Sequence, residues 1–233
     1  MHIFHTPDLE GEIIVLPDEE AHHAMAVLRS RTGDRIGLVN GKGTTADAEI
    51  IQIDKKICEV RVLERKVHPP ERFSKIHLAV AVTKQIDRFE WFLEKAVELG
   101  VDRITPLFTE RSERNKVRLD RLEKVMIAAM KQSKRAWLPV LDEAIHLKEL
   151  LKWDLPAQRY FGWCEGEHQQ LMNRYTMASD AIVLVGPEGD LSSSEAAQLM
   201  EQKMEPVAIG EARLRTETAA LAACTWMSLL QQK

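Results

Sequence analysis

The sequence predicts an α/β protein in which a small β-rich N-terminal domain precedes a larger domain with a parallel sheet. Short strand-like segments separated by turn residues occupy the chain up to His68-Pro69-Pro70, where the prolines interrupt the pattern. After Glu71, apolar strand segments alternate with helical periodicity, which is typical of a parallel sheet covered on both faces. We therefore place the two domains at residues 1–70 and 71–233.

In the first domain, four segments combine β-favouring residues with flanking turn residues. These predicted strands are residues 12–15, 35–39, 46–53 and 57–63. Asn40-Gly41, between the second and the third, is a strong turn signal. One helix is predicted over about residues 18–28, with Asp18 as its N-cap. Several short strands joined by turns indicate a small barrel.

In the second domain, five short apolar segments are predicted strands. They are residues 76–82, 104–108, 159–163, 181–185 and 205–209. Helical spacing of apolar residues predicts helices between Asp87 and Gly100, over residues 119–135 and over residues 218–230. Ser192 and Glu195 fit a capping box, so a further helix is expected to begin there.

Composition predicts a globular protein with no membrane span. Hydrophobic residues make up 45% of the 233 positions and charged residues 29%. No apolar run approaches the roughly 18 residues of a membrane helix. Residues 1–7 lack the basic and apolar regions of a secretory signal, so we expect a cytoplasmic location. Three scattered cysteines and the His22-His23 pair lack metal-ligand spacing, and we predict no metal centre.

Two glycine-containing segments, residues 184–190 and 209–219, each follow a predicted strand and precede a predicted helix. Open α/β sheets bind ligands beyond the carboxyl ends of their strands, which is where these two segments lie. Gly186 and Gly189 permit a ligand to approach the main chain. Arg213 and Arg215 would face the same way in an extended segment and suit a phosphate or carboxylate. We therefore interpret the pair of segments as a cofactor site.

The helix that follows the second segment also has N-terminal signals. Thr216 and Thr218 are candidate caps, and Glu217 complements the helix dipole. No dinucleotide or Walker fingerprint and no nucleophile elbow occurs in the sequence. A tight turn without a ligand is an equally plausible interpretation of the first segment alone.

Charge is unevenly distributed although the net charge is only −4. Residues 110–135 contain nine basic and four acidic side chains, whereas residues 142–205 contain five basic and twelve acidic ones. A localised basic patch can bind a polyanion such as RNA. A solvated helix face with internal ion pairs would give the same count, so the charge pattern alone does not distinguish that face from an RNA-binding surface.

The cofactor segments resemble those of the RsmE family, SPOUT-superfamily methyltransferases of bacterial small-subunit ribosomal RNA. The resemblance rests on residues 186–189, 209–210 and 214–219, the last being the most specific. Further matching residues occur earlier in family order and spacing: His22, residues 27–29, 33–34 and 40–41, Gly43, Lys84, residues 95–96 and 98–101, Pro106, residues 110–112 and 132–133, and Arg135. One departure is Asp190-Leu191, where the family usually has glycine and then phenylalanine.

This resemblance implies a PUA-like barrel for residues 1–70 and an α/β domain with a deep trefoil knot for residues 71–233. It also implies a homodimer with the active site near the dimer interface. The implied reaction is methyl transfer from S-adenosylmethionine to N3 of a uridine in 16S ribosomal RNA, as free RNA or in the small subunit. Neither a membrane nor a metal is an expected partner.

Site residues follow from the resemblance and from the motif chemistry. Arg215 is the candidate for stabilising the uracil oxygens or a phosphate, and Glu217 is a weaker candidate base. The expected cofactor-binding residues are Leu184, Val185, Gly186, Glu188, Gly189, Ile209, Gly210, Arg213, Leu214, Thr216, Thr218 and Ala219. The expected RNA-binding residues are His22, Arg29, Arg31, Lys84, Arg111, Arg114, Lys116 and Arg135.

Two other functions compete with the enzyme. A non-catalytic RNA-binding module of the same fold would bind RNA without binding the cofactor. A sugar- or nucleotide-phosphate enzyme on a doubly wound sheet would bind nucleotide instead, but the missing phosphate-loop fingerprint weighs against it.

Overall fold

A computed structural model describes residues 1–54 and 57–231. The chain forms two compact units. The first contains Met1–Glu71 and, further along the chain, Ile127–Leu138; the second contains Arg72–Met126 and Pro139–Lys233. In the part of the chain that is described, no helix has both the length and the apolar character needed to cross a bilayer.

The first unit is built on a five-stranded sheet. Its strands are β1 (Ile3–His5), β2 (Ile13–Val15), β3 (Arg35–Val39), β4 (Thr44–Ile53) and β5 (Cys58–Val67). Their order across the sheet is β1-β3-β4-β5-β2, with β1 parallel to β3 and the other pairs antiparallel. Alternate residues of β4 face the core, including Ala48 and Ile50, which are fully buried. Asn40 stabilises the turn between β3 and β4, because its side-chain oxygen accepts hydrogen bonds from two backbone N–H groups.

The helix of the first unit has about the predicted extent but not the predicted N-cap. The α-helix α1 spans Asp18–His22 and continues as a π-helix over His23–Val27. Its N-cap is Pro17 and not Asp18, which is the first helical residue. No side-chain hydrogen bond caps this helix, and the Asp18 carboxylate favours the first turn through the helix dipole. Strand β1 was not predicted.

The inserted segment Ile127–Leu138 completes the first unit. Lys131 Nζ lies 2.5 Å from Glu20 Oε1, and both side chains are largely buried. The backbone N–H of Gly43 donates to Ala136 O, and that of Leu138 donates to Gly41 O. The Trp137 ring packs directly against Gly43. This segment therefore supplies a charge partner to α1, and backbone hydrogen bonds and apolar contact to the turn between β3 and β4.

The second unit contains a parallel sheet and six helices among its described residues. Its strands are β6 (Ile76–Ala81), β7 (Arg103–Phe108), β8 (Val140–Leu141), β9 (Ile145–His146), β10 (Gln158–Gly162), β11 (Ala181–Val185) and β12 (Glu205–Val207). Its helices are α2 (Ile86–Leu99), the N-terminal half of α3 (Leu119–Ser133), α4 (Leu147–Leu150), α5 (Leu171–Arg174), α6 (Ser193–Glu201) and α7 (Thr216–Leu230).

The strand order of this sheet is β12-β10-β11-β6-β7-β8, with β9 also paired to β7, and all these pairs are parallel. Strands β6 and β11 are buried along their whole length. The predicted parallel α/β sheet is thus confirmed. Strands β8 and β9 and helices α4 and α5 were not predicted, because segments of two to four residues are too short to show a period.

A buried polar network links β6 to β7 within this apolar sheet. His77 Nε2 lies 2.7 Å from Thr105 Oγ1, and that hydroxyl donates to Asp142. Arg103 forms two hydrogen bonds to the same carboxylate. Burial, with the nearby Arg103 charge, lowers the pKa of His77 to about 4, so its ring is neutral at pH 7.

Gly43→Ala tests the contact with the inserted segment. A Cβ atom at Gly43 would lie 2.3 Å from Trp137 Cζ2, and the residue has φ +88°. The strained backbone costs about 1–2 kcal/mol, and overpacking adds roughly 1–3 kcal/mol. We expect urea unfolding to show that the free energy of unfolding falls by about the sum of these two terms. Gly33→Ala is the matched control, because Gly33 has φ +95° but no atom near its Cβ position. Equal losses in the two variants would contradict the packing role.

Candidate cofactor cavity at the sheet edge

A cavity of about 730 Å³ lies at the carboxyl ends of β10, β11 and β12. Gly162 of β10 is in register with Val185 of β11 and Val207 of β12, so these three parallel strands end at the same edge. The loops that follow the strands form the walls. Parallel α/β sheets bind ligands at this edge, and a volume of a few hundred to about a thousand Å³ suits a small-molecule cofactor.

The turn after β11 forms the first wall. The Asp190 N–H donates to Pro187 O at 2.9 Å, which closes the turn. A Cβ atom at Gly186 would lie 3.1 Å from Leu191 Cγ and 3.2 Å from Leu191 N, so the turn favours glycine there. Helix α6 then begins with the predicted capping box, in which Ser192 and Glu195 exchange hydrogen bonds. This part of the sequence prediction is confirmed.

The segment after β12 forms the second wall and enters α7. The N-cap of α7 is Arg215, and no side chain caps it. The prediction that Thr216 and Thr218 cap this helix is therefore wrong. The hydroxyl of Thr216 donates to Gly186 O at 2.9 Å, and this bond is buried. Because it satisfies a carbonyl of the first wall, Thr216 joins the two predicted cofactor segments directly.

The loop after β10, residues 163–170, forms a third wall that lies outside the two predicted cofactor segments. Trp163 and His168 stack with their rings at 17° and their centroids 5.6 Å apart. Both line the cavity, as do Cys164 and Gln170. The general preference of ligands for carboxyl strand ends could have indicated this loop, because Gly162-Trp163 ends a predicted strand.

Both signs of charge occur around the cavity. Glu188, Asp190 and Glu211 line it together with Arg213 and Arg215. The backbone N–H of Lys84 donates to Glu188 Oε1 at 3.1 Å. This mixture suits a ligand that carries both a cationic and an anionic group.

Most of the predicted cofactor residues meet in this cavity. Nine of the twelve line it: Val185, Gly186, Glu188, Ile209, Gly210, Arg213, Leu214, Thr216 and Ala219. The cavity lining does not include Leu184, which is fully buried in β11, or Gly189 and Thr218, which are exposed. Leu184 and Thr218 are outside the lining because neighbouring residues of a strand or a helix point in different directions, whereas Gly189 lies in the turn after β11.

The two candidate catalytic residues have different environments. Arg215 is exposed and lines the cavity. Glu217 is outside the lining and 7% exposed, with Oε1 3.8 Å from Arg88 Nε. Its Oε2 is buried without a hydrogen-bond partner among the described residues.

The predicted RNA-binding residues fall in both units. In the second unit, Lys84 pairs with Glu113, Arg114 donates to Lys84 O, and Lys116 is exposed. Arg111 donates to Gly189 O and Leu191 O, so it also supports the turn after β11.

In the first unit, His22, Arg29 and Arg31 are exposed. Arg135 is less accessible, because it is half-buried and pairs with Glu71 at 2.8 Å.

Comparison with known proteins decides the family. A family model described as an RNA methyltransferase domain matches residues 69–228, and one described as an RNA methyltransferase PUA domain matches residues 16–63. The ribosomal RNA small subunit methyltransferase E of Rickettsia conorii is 32% identical, over 94% of this chain and 91% of that protein. The chain belongs to the RsmE family. Its predicted class, an RNA methyltransferase with a PUA domain, is thereby confirmed.

Two solved structures of related methyltransferases have the same fold. A probable rRNA-methyltransferase from Porphyromonas gingivalis is 39% identical with a TM-score of 0.91, covering 99% of this chain and 98% of that chain. The ribosomal RNA small subunit methyltransferase E of Neisseria gonorrhoeae, bound to S-adenosyl methionine, is 30% identical with a TM-score of 0.88 and the same coverage.

Thr216→Val tests the bond between the two walls. The variant keeps the shape of the side chain but leaves the buried Gly186 carbonyl without its donor, which costs about 1–3 kcal/mol. We expect chemical denaturation to show a loss of this size. The exposed Thr218→Val is the control and should leave stability within about 0.5 kcal/mol. An unchanged unfolding midpoint for Thr216→Val would mean that the bond does not stabilise the site.

Proposed function

We propose that this protein transfers a methyl group from S-adenosylmethionine to N3 of a uridine in 16S ribosomal RNA. The observation that carries the proposal is the cavity at the carboxyl ends of β10, β11 and β12, where the two predicted cofactor segments meet. Membership of the RsmE family supports it, and so does the S-adenosyl methionine bound to the relative from Neisseria gonorrhoeae.

The residues of the cavity fit this cofactor. Backbone groups of the turns at Gly186 and Gly210 are available to hydrogen-bond an adenine edge and ribose hydroxyls, and Ile209 and Leu214 offer apolar contact. The acidic side chains in the lining match a sulfonium, and the arginines match a carboxylate. When bound, the cofactor supplies a methyl group that is already activated, so the role of the protein is chiefly to position it.

A separate requirement is the proton at uracil N3. The ring nitrogen has no free in-plane lone pair until that proton leaves, so the site needs a base or a cation that stabilises the deprotonated uracil. Arg215, exposed in the cavity lining, is our candidate for that cation. Glu217 is the weaker candidate base, and its burial beside Arg88 favours a positioning role.

We assign the two domains to residues 1–70 and 71–233. Cationic side chains of both domains would bind the RNA. The target uridine must leave its stack to reach a cavity of this kind. Exposed Arg29 and Arg31 of the first unit, and Arg111 and Lys116 of the second, are candidates for phosphate contacts. Such contacts weaken as salt rises, because binding releases counterions.

Three further family expectations belong to the same proposal. They are a homodimer with the active site near its interface, a deep trefoil knot near the C-terminus and a cytoplasmic location. The exposed side chains of Leu229 and Leu230 at the end of α7 support an interface, since they leave apolar surface in contact with water.

Calorimetric titration with S-adenosylmethionine tests the cofactor. We expect selective binding, with no comparable heat from ATP or NAD. Gly210→Val should abolish it, because a Cβ atom there already lies 3.1 Å from Leu214 Cδ1. Ala157→Val, an exposed position outside the cavity, is the matched control and should bind normally. A folded protein that binds RNA but no S-adenosylmethionine would instead indicate an RNA-binding module.

Arg215→Ala tests the mechanism. Loss of a charge that stabilises the transition state should lower the rate of the methyl-transfer step about 10²- to 10³-fold, while cofactor affinity and the unfolding curve stay near those of the natural protein. Methyl transfer to 16S ribosomal RNA under single-turnover conditions is the measurement. Near-normal turnover would remove Arg215 from the mechanism.

Two further variants accompany this test. Arg35→Ala, an exposed arginine in the other unit, is the control for loss of a surface charge. Glu217→Gln separates the two candidate residues, because a base would be lost with the carboxylate whereas a positioning residue would retain turnover.

A further inference from the structure

We infer that Asp190 is a positioning residue whose carboxylate fastens the loop of residues 163–170 to the turn after β11 and so fixes the width of the cofactor cavity. This inference rests on the proposed function, because its consequence is measured as cofactor affinity. Asp190 is half-buried and belongs to the cavity lining.

The backbone of Asp190 is unusual for a residue with a side chain. Its φ is +63°, in the left-handed region that glycine adopts without steric cost. Aspartate tolerates this region better than most residues but still populates it rarely. The conformation closes the turn through the bond from Asp190 N to Pro187 O. Since glycine would satisfy the backbone alone, the side chain must be explained by its own contacts.

Both carboxylate oxygens of Asp190 accept hydrogen bonds from the main chain. Oδ1 accepts from Leu191 N at 2.8 Å, which holds the carboxylate against its own turn. Oδ2 accepts from Cys164 N at 3.1 Å, which belongs to the loop after β10. One side chain therefore links two walls of the cavity, and its charge strengthens both bonds.

Other hydrogen bonds attach the same loop on the opposite side. Trp163 N donates to Val207 O, Leu171 N donates to Ala208 O, and Ala208 N donates to Gln169 O. These bonds tie the loop to the end of β12, whereas Asp190 ties it to the end of β11. Because β10 lies between those two strands, the loop is held from both sides, and the Asp190 contact sets the spacing on the β11 side.

The thiol of Cys164 gives an independent signal for this contact. Partial desolvation raises the pKa of the Cys164 thiol, and the charge and hydrogen bond of Asp190 raise it further. Cys58 and Cys224 are buried, whereas Cys164 is exposed, so a soluble alkylating reagent should modify Cys164 selectively. Only the thiolate reacts, and removing the Asp190 charge should therefore accelerate alkylation at pH 8.

The test compares the full-length protein with Asp190→Asn and Asp190→Gly. Asparagine keeps the size but can accept through only one oxygen, and glycine removes both bonds while suiting the backbone. We expect the dissociation constant and KM for S-adenosylmethionine to rise about tenfold in Asp190→Asn and further in Asp190→Gly. Values of kcat and the unfolding midpoint should change little. Asp154→Asn, exposed and outside the cavity, is the control.

S-Adenosylhomocysteine separates a positioning role from simple charge attraction, because it lacks the sulfonium charge. A fixed wall serves both ligands, so their affinities should fall together in Asp190→Asn. A fall confined to S-adenosylmethionine would overturn the inference, and so would unchanged affinity for both.

If the natural protein binds neither ligand, the proposed function fails, and the Asp190 contact is then tested by iodoacetamide labelling of Cys164. Faster labelling in Asp190→Asn supports the contact, and an unchanged rate overturns it.

Discussion

The cavity depends on the register of three parallel strands. Because Gly162, Val185 and Val207 are aligned across the sheet, the loops after β10, β11 and β12 leave the sheet at one level. Backbone hydrogen bonds fix this alignment, and a shift of one residue would turn every side chain to the other face. Strand β10 lies at the centre of the three, between β12 and the fully buried β11. The apolar interior of the sheet therefore determines where polar groups can converge.

Within that frame, a few polar contacts give the loops their shape. Thr216 holds the Gly186 carbonyl, Arg111 holds the Gly189 carbonyl, and the capping box orients α6. Each of these contacts gives a main-chain carbonyl or N–H group a hydrogen-bond partner within the protein. The loops are consequently ordered by the protein itself, which reduces the entropy that cofactor binding must overcome.

The sequence was sufficient for nine of the twelve described strands, for the parallel arrangement and for most of the cavity, because buried strands and glycine-rich turns have strong local patterns. It was insufficient where the role of a residue depends on a distant partner. Thr216 looks like a helix cap but bonds to Gly186, thirty positions earlier. Trp163 and His168 have no periodic pattern, and their stacking appears only in three dimensions. The same reason applies to Glu217, whose ion-pair partner Arg88 belongs to α2.

Helix α3 shows another limit of sequence patterns and has a consequence for biosynthesis. Its apolar residues run continuously from Leu122 to Met130, although its two halves belong to different units. The first unit is thus discontinuous along the chain. When residue 71 leaves the ribosome, buried Glu20 still lacks the ammonium of Lys131, and Gly43 still lacks the indole of Trp137. Since domains tend to fold as they emerge, this N-terminal unit must wait for about sixty more residues before it can complete its core. Its maturation is therefore tied to translation of roughly the first two fifths of residues 71–233.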